Sequence, residues 1–241
     1  MPRPFKIQCL ATIALLCAAC LTACSRSSTA DSTTAAPTGN SAAAGSIVGR
    51  VTLAGGASLP QILPGSPNLF DESLMVHSGN LKNVIVYLKD APPSTFSKHD
   101  PVVLDQIHTQ YVPHVIALQT TQPLRLKSSD NMLHNVHLQC SVNPDQNYGF
   151  SKPGTRDITL DKPEPPFAIK CDVHPWMSAY AAVFSHPWFA VTDSDGTFTI
   201  AAVPPGHYTL VAWQEVLPPQ EISVDVTADQ STTANFTFAA P

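Results

Sequence analysis

The sequence predicts an all-β protein. From Gly45 onward, short runs rich in β-branched and aromatic residues are separated by Gly, Pro, Asp and Asn, and no segment shows the period of an amphipathic helix. Most of the 23 prolines lie between these runs, where they remove no hydrogen bond from a β-ladder. The fold class therefore follows from strand-length runs, from the turn residues between them and from the position of proline.

The N-terminus predicts export. A basic start precedes an apolar run that is short for a membrane span and ends at the letters LTAC, residues 21–24. These letters resemble the lipobox of bacterial lipoproteins, which implies a signal peptide at 1–23, a lipidated Cys24 and contact with a membrane only through that lipid. By the same resemblance, Ser25 favours the outer membrane of the cell envelope, on its periplasmic side. An ordinary cleaved signal peptide is the alternative.

Residues 24–45 predict a flexible linker because they are mostly Ser, Thr, Ala, Pro, Gly and Asn. Without residues 1–23, the net charge falls from −5 to −7, a balance that disfavours nucleic acid as a partner. Alternating or apolar runs beyond the linker predict strands at Ile47–Leu53, Val84–Leu88, Leu124–Lys127, Val136–Cys140, Phe167–Lys170, Tyr180–Phe184, Thr197–Val203, Tyr208–Trp213, Ile222–Val226 and Ala234–Phe238.

Turn signals and a family resemblance mark the last quarter of the chain. Asp195-Gly196 lies between two alternating runs and predicts a hairpin, and Pro204-Pro205-Gly206 begins the next turn. The Thr-Asp, Gly-x-Phe and Pro-Pro-Gly-x-Tyr letters within 192–208 resemble carboxypeptidase regulatory-like (transthyretin-like) modules. That resemblance implies a β-sandwich of immunoglobulin-like architecture and says little about function.

The opening of such a module lies far upstream. Its Gly-x-Val and Val-x-Val-x-Leu strands match residues 49–51 and 84–88. We therefore expect a split sandwich made of residues 46–96 and 187–240, with residues 97–186 inserted as a second domain. One continuous, elaborated sandwich is the alternative.

Candidate metal ligands lie in the inserted stretch. Cys171, His174 and Met177 are spaced so that a tight loop can turn a thiolate, an imidazole and a thioether toward one point, and His134 can approach from a neighbouring strand. Two histidines, a cysteine and a distant methionine form the donor set of blue copper, in which soft sulfur favours Cu(I) and imidazole suits Cu(II). Zinc is the nearest alternative, but a thioether is a poor zinc ligand.

These clusters resemble those of cupredoxins, and the Cys-x-x-His-x-x-Met loop is similar to that of amicyanin. The resemblance covers residues 102–184 approximately and implies a Greek-key β-sandwich with one type 1 copper. It implies that Asn135 ties the two ligand loops together by hydrogen bonds. It further implies that the equatorial ligands are His134, Cys171 and His174. Met177 would be the axial ligand.

The predicted function is single-electron transfer without enzyme activity. Four protein ligands leave no open position for a substrate, and the sequence has no phosphate loop or credible catalytic triad. Pro175 and Trp176, beside His174, are expected to form the docking face for a redox partner protein, such as a dehydrogenase or a cytochrome. Copper delivery or storage is one alternative, and an envelope scaffold without electron transfer is another.

The remaining cysteine and histidines are not expected to be ligands. Cys140 lies too far along the strand from His134 to form a disulfide with Cys171, and it is predicted to be a buried free thiol. His137 points to the face of the strand opposite His134. The other histidines have no metal spacing and are predicted to be ordinary surface or packing residues: His77, His99, His108, His114, His186 and His207.

Overall fold

The structure, a computed structural model, describes residues 43–55, 71–91, 94 and 100–240. The predicted signal peptide, Cys24, most of the predicted linker and His99 lie outside these residues. The described part of the chain consists of strands, turns and loops without helices, so it has no helix long and apolar enough to cross a membrane. The all-β prediction is confirmed.

The strands follow one another in chain order as β1 (Gly45–Leu53), β2 (Val76–His77), β3 (Asn80–Leu81), β4 (Ile85–Leu88), β5 (Val102–Ile107), β6 (Gln110–Val112), β7 (Val115–Gln119), β8 (Leu124–Ser128), β9 (His134–Leu138), β10 (Gln146–Phe150), β11 (Gly154–Ile158), β12 (Glu164–Lys170), β13 (Ser178–Phe184), β14 (Phe189–Val191), β15 (Thr197–Val203), β16 (Gly206–Trp213), β17 (Gln220–Val226), β18 (Ser231–Thr233) and β19 (Phe236–Phe238).

Strands β1–β4 and β14–β19 form one sandwich, here called the terminal sandwich. One sheet has the order β15-β1-β3-β2, with β18 and β19 also paired to β1, and the other has the order β14-β4-β16-β17. The two inner faces share one core, which includes Ile47, Val86, Phe198, Leu210 and Phe236. Burying each such side chain stabilises the fold by about 2 kcal/mol.

Gly49 allows β1 to be crowded from both sides. A Cβ atom at this position would lie 1.7 Å from the carbonyl oxygen of Ala234 and 2.6 Å from the ring of Phe198. The Ala234 N–H donates to the Val48 carbonyl, so this close approach is also a hydrogen-bonded one. Only glycine therefore fits at the centre of this sheet without a shift of the neighbouring backbone.

Strands β5–β13 form a second sandwich, here called the central sandwich. Its sheets have the orders β10-β9-β12-β13-β7 and β11-β8-β5-β6. Along β8 the burial alternates residue by residue, because one face turns toward the core and the other toward solvent. The core of this sandwich includes Leu126, Val136 and Ile169 together with Cys171 and Met177.

The central sandwich is inserted between two paired strands of the terminal sandwich. Strand β14 pairs antiparallel with β4, which places Phe189 opposite Tyr87. The two sandwiches meet in a third apolar cluster, whose fully buried members are Ile85, Val115, Ala182 and Phe184. The strands of the terminal sandwich fall within 45–88 and 189–238. The domain limits 46–96, 97–186 and 187–240 stay a prediction.

The hairpin predicted at Asp195-Gly196 is wrong in its pairing. Asp193 accepts hydrogen bonds from the N–H groups of Asp195 and Thr197, and Gly196 has a φ of 68°, so the chain does turn here. The flanking strands belong to opposite sheets, since β14 pairs with β4 and β15 pairs with β1. The turn carries the chain across the terminal sandwich instead of closing a ladder.

Candidate metal centre

Strands β9 and β12 place the two clusters of candidate ligands side by side. His134 is the first residue of β9, and Cys171 directly follows β12; these strands pair through Leu138 opposite Ile169 and His137 opposite Lys170. The hydroxyl of the buried Tyr111 lies 2.5 Å from the Asn135 carbonyl oxygen and 3.0 Å from that of Lys170. Burial raises the pKa of Tyr111, so this hydroxyl keeps the proton that links the two strands.

The loop from Cys171 to Met177 is closed by its own backbone. The Met177 N–H donates to the His174 carbonyl at 2.9 Å, and the Cys171 N–H donates to the Met177 carbonyl at 3.3 Å. Cys171 and Met177 are 2% and 1% exposed and belong to the same core, whereas His174 is half-buried. The loop therefore holds its two sulfur atoms inside the sandwich and leaves the imidazole near the surface.

Three candidate ligand atoms converge. The Nδ1 atoms of His134 and His174 lie 3.0 Å apart, and the Cys171 sulfur lies 3.7 Å from the His174 Nδ1. Within the described residues, these three side chains are the one group of at least three His, Cys, Asp or Glu residues that could hold a metal ion, with ligand atoms within 4.8 Å of one another. The structure thus brings together three of the four residues predicted as ligands and buries the fourth, Met177, in the core beside them.

Asp130 fixes the orientation of the first imidazole, a role that was not predicted. Its carboxylate lies 3.0 Å from the His134 Nε2 and accepts hydrogen bonds from the N–H groups of His108 and Thr109 at 2.8 and 2.9 Å. Burial alone would raise the pKa of Asp130, but the hydrogen bonds from Thr109, His108 and His134 outweigh it and lower the pKa. Because the carboxylate accepts the Nε2 proton, the Nδ1 lone pair of His134 points into the centre.

His174 is held neutral by its surroundings. Burial, and then the neighbouring His134, lower its pKa, and Asp130 opposes them only in part. A neutral imidazole has a lone pair available for a metal ion. The two imidazoles and the thiol form a donor set that fits copper or another soft-to-borderline metal ion.

Asn135 connects the two ligand loops. Its side-chain oxygen Oδ1 accepts the Asp172 N–H at 2.8 Å and lies 3.4 Å from the Cys171 sulfur. Its amide nitrogen donates to the side chains of Asn147 and Asp172, each at 2.8 Å. These contacts join strand β9 to the residue after the candidate thiolate ligand, which is where the family resemblance places such a connection.

A polar network on the surface surrounds this connection and was not predicted. His137 contacts Asp172 at 3.2 Å and Asp145 at 3.0 Å, and Asn147 donates to Asp172 at 2.7 Å. The hydrogen bond to Asp172 is the main cause of a raised pKa at His137. His137 lies outside the group of candidate ligands, as the strand alternation predicts. Side chains alternate between the two faces of a strand, so His134 and His137, three residues apart, lie on opposite faces of β9.

One other prediction needs correction. Cys140 is a free thiol, as predicted, but it is only half-buried, because it lies beyond the end of β9. Burial, assisted by Glu164 and Asp145, raises its pKa to about 12.

His114 lies outside the group of candidate ligands and is a buried residue, 5% exposed. Its Nε2 lies 2.5 Å from a carboxylate oxygen of Glu215, a contact that was not predicted.

The predicted docking residues lie on the surface beside the centre. Pro175 and Trp176 are exposed, the latter to 41%, and the Trp176 ring lies 5.2 Å from the ring of His174. The Trp176 Nε1–H donates to the Thr109 carbonyl, which fixes the orientation of the indole. Three further exposed apolar residues come from the two ligand loops: Met132, Leu133 and Val173.

Comparisons with known proteins find one family profile and several solved structures that are similar to parts of this chain. The family profile of the carboxypeptidase regulatory-like domain matches residues 182–239. No curated protein matches the sequence. The solved structures to which the chain is similar include a Cu-containing nitrite reductase from Thermus scotoductus SA-01, at 15% identity and a TM-score of 0.33. That alignment covers 39% of this chain, which spans 25% of the reductase.

Amicyanin is a second structural relative. A Cu(I) form of one amicyanin variant is 16% identical to this chain, with a TM-score of 0.32, 41% of this chain covered and 97% of amicyanin. A reduced form of another variant gives the same identity, coverage and TM-score. Both resemblances read from the sequence, to cupredoxins and to regulatory-like modules, are thus found. TM-scores near 0.3 add nothing about function, so any assignment of function depends on the geometry of the centre alone.

Proposed function

We propose that this protein binds one type 1 copper ion and transfers single electrons in the bacterial cell envelope. The observation that carries the proposal is the convergence of two Nδ1 atoms and one thiol, within 4.8 Å of one another, with the buried Met177 on the same loop as the thiol. His134, Cys171 and His174 would hold the metal, with Met177 as the distant fourth ligand. Copper in such a site changes between Cu(II) and Cu(I).

The chain's own residues keep this centre rigid and closed to substrates. Asp130 orients His134, Asn135 holds the residue after Cys171, and the backbone of the ligand loop closes on itself. Because these hydrogen bonds join protein groups to one another, the ligands would need little movement when the charge at the centre changes. If His134, Cys171, His174 and Met177 all bound the metal, no position would stay open for a substrate, which favours an electron carrier over an enzyme.

Loading the protein with Cu(II) tests this proposal directly. Visible absorption and electron paramagnetic resonance should show an intense thiolate-to-copper band and a narrow copper hyperfine splitting. Cys171→Ala should abolish the band, whereas Cys140→Ala should keep it, because Cys140 is the other free thiol of the described residues and lies outside the group of ligands. A colourless protein, or a band that survives in Cys171→Ala, would refute a type 1 centre.

We further propose that Trp176 and Pro175 form the docking face for a partner protein that carries electrons, such as a dehydrogenase or a cytochrome. Trp176 is exposed next to His174, so an apolar contact there would bring a second redox centre near a ligand. Electron self-exchange between reduced and oxidised copies, followed by nuclear magnetic resonance line broadening, requires no known partner. Trp176→Ala should slow this exchange several-fold.

A matched control is Val216→Ala, which removes an exposed apolar side chain from the terminal sandwich and should leave the rate unchanged. Equal rates for Trp176→Ala and the unaltered protein would remove the reason for placing the docking face here. Attachment to the membrane through a lipid on Cys24 is a separate part of the proposal. It predicts that Cys24→Ser releases the protein from the envelope in a fractionation experiment.

A further inference from the structure

A buried contact between an imidazole and a carboxylate joins the terminal sandwich to the end of the ligand loop. His114 lies between β6 and β7 of the central sandwich, and Glu215 follows β16 of the terminal sandwich. Their side chains are only 4% and 5% exposed, and the His114 Nε2 lies 2.5 Å from the Glu215 carboxylate. Because both side chains are buried, water and salt screen this contact far less than they screen a contact on the surface.

The other nitrogen of the same imidazole contacts the backbone next to a candidate ligand. The His114 Nδ1 lies 3.1 Å from the carbonyl oxygen of Ser178, the residue after Met177. A carbonyl oxygen only accepts hydrogen bonds, so Nδ1 must carry the proton that it donates. Glu215 therefore acts on the Nε2 of a ring whose Nδ1 holds the Ser178 carbonyl in place.

Glu215 is itself fixed by its neighbours. The side-chain oxygen of Gln214 accepts the N–H groups of Val216 and Leu217 at 2.8 and 3.0 Å, and the Gln214 amide donates to the Ser73 carbonyl. The terminal sandwich thus holds the backbone on both sides of Glu215 in place.

We propose that Glu215 is a positioning residue for the metal centre: acting through His114, it sets the position of Ser178 and hence of Met177. The effect on a copper centre rests on the proposed function. The positioning of Ser178 and Met177 by Glu215 rests only on the contacts described above. The carboxylate comes from the terminal sandwich and not from the central sandwich that holds the candidate ligands. Glu215 lies within the 182–239 region that matches the regulatory-like domain. The second sandwich would then tune the first, since the axial ligand of a type 1 centre tunes its reduction potential.

Removing the carboxylate should act locally. The His114 carbonyl also accepts the Tyr180 N–H at 2.8 Å, and β7 pairs with β13 along five residues. These backbone bonds do not involve Glu215, so the strands should stay paired in its absence. The expected effect is a His114 ring that has lost its partner at Nε2, and a displaced Met177 side chain, in an otherwise folded protein.

The test compares Glu215→Ala and Glu215→Gln in the full-length, metal-free protein with ¹³C-methyl methionine. The chain has four methionines, so the Met177 methyl signal can be identified with Met177→Leu. Glu215→Ala should shift that signal and leave that of Met132 in place. Glu215→Gln should shift it less, because an amide can still hydrogen-bond to the imidazole. Glu221→Ala is the matched control, since Glu221 forms only an exposed ion pair with Lys89.

The copper-loaded proteins give the second readout. Glu215→Ala should change the reduction potential and the copper hyperfine splitting, with a smaller change in Glu215→Gln and none in Glu221→Ala. If Glu215→Ala does not fold, Glu215→Leu replaces it, because leucine fills the volume without a hydrogen-bonding group. A Met177 signal that stays in place in the folded variant refutes the proposal.

Equal shifts in Glu215→Ala and Glu215→Gln would also overturn the proposal, because they would assign the effect to packing and not to the hydrogen bond. A protein that stays colourless with copper would count against the proposed function alone. The comparison of methyl signals uses no metal, so it decides the positioning claim whatever the result with copper.

Discussion

Replacing Glu164 with glutamine should destabilise the central sandwich. Glu164 is 1% exposed, and its carboxylate accepts hydrogen bonds from the backbone N–H groups of Ser141, Val142 and Asn143, with distances between 2.6 and 3.0 Å. The side chains of Ser141 and Asn143 donate to it as well. Both carboxylate oxygens of Glu164 face donors. In glutamine one of these oxygens is replaced by an NH2 group, which cannot accept hydrogen bonds, so some of the surrounding donors would be buried without an acceptor.

The magnitude follows from the pKa of this carboxyl. Burial alone would raise the pKa, but the hydrogen bonds from Ser141 and Asn143 outweigh burial and lower it from 4.5 to about 2. This difference corresponds to about 3 kcal/mol of folding free energy at neutral pH. Because the folded-state pKa is the lower one, the contribution is complete above pH 4.5 and is lost as the pH falls toward 2.

Urea unfolding at several pH values measures this contribution. Glu164→Gln should be about 3 kcal/mol less stable than the unaltered protein at pH 7, and the difference should shrink as the pH falls below 4.5. Asp161→Asn, an exposed acid three residues earlier, should have little effect at any pH. A loss below 1 kcal/mol at neutral pH, or a difference that does not depend on pH, would refute the reasoning.

Three other substitutions test the centre and its scaffold. Asp130→Asn should weaken Cu(II) binding by roughly 10- to 100-fold, because it removes the charge that orients His134; unchanged affinity in a competition titration would contradict this. Asn135→Ala should broaden the copper hyperfine spectrum, because the two ligand loops lose their connection, and a spectrum identical to the parent's would argue against that role. Gly49→Ala should lower the melting temperature sharply, whereas Gly149→Ala, where a Cβ meets nothing within 4 Å, should not; similar values would contradict the crowding described for β1.

The predictions from sequence succeeded where a local pattern determines the structure. The alternating runs at β8 and β17 predict their strands, because one face of each is turned toward the core. Strand β11 escaped prediction because its residues are mostly exposed and carry no hydrophobic period, and β10 because its inward residues are only half-buried. Strand β7 is apolar without alternation, as is typical of a strand that pairs in parallel, here with β13.

At the candidate centre, too, the contacts set by local spacing could be predicted from the sequence, and the long-range contacts could not. Close spacing brings Cys171, His174 and Met177 onto one loop, so their proximity can be predicted from the chain alone. Asp130 lies four residues before His134, but its contact depends on how the preceding loop folds back. The contact between His114 and Glu215 spans 101 residues and two sandwiches, so no local pattern indicates it.

The pairing of β4 with β14 makes the two sandwiches depend on each other thermodynamically. It closes a stretch of about 100 residues, which costs on the order of 4 kcal/mol in chain entropy when the stretch is unfolded. In the folded central sandwich both ends are already held near one turn, because Val102 bonds to Pro123 and Thr120 bonds to Phe184. Any ligand that stabilises the central sandwich therefore also lowers the entropy cost of bringing β4 and β14 together. Slower hydrogen exchange in a sheet that never contacts the ligand would be the visible sign of this linkage.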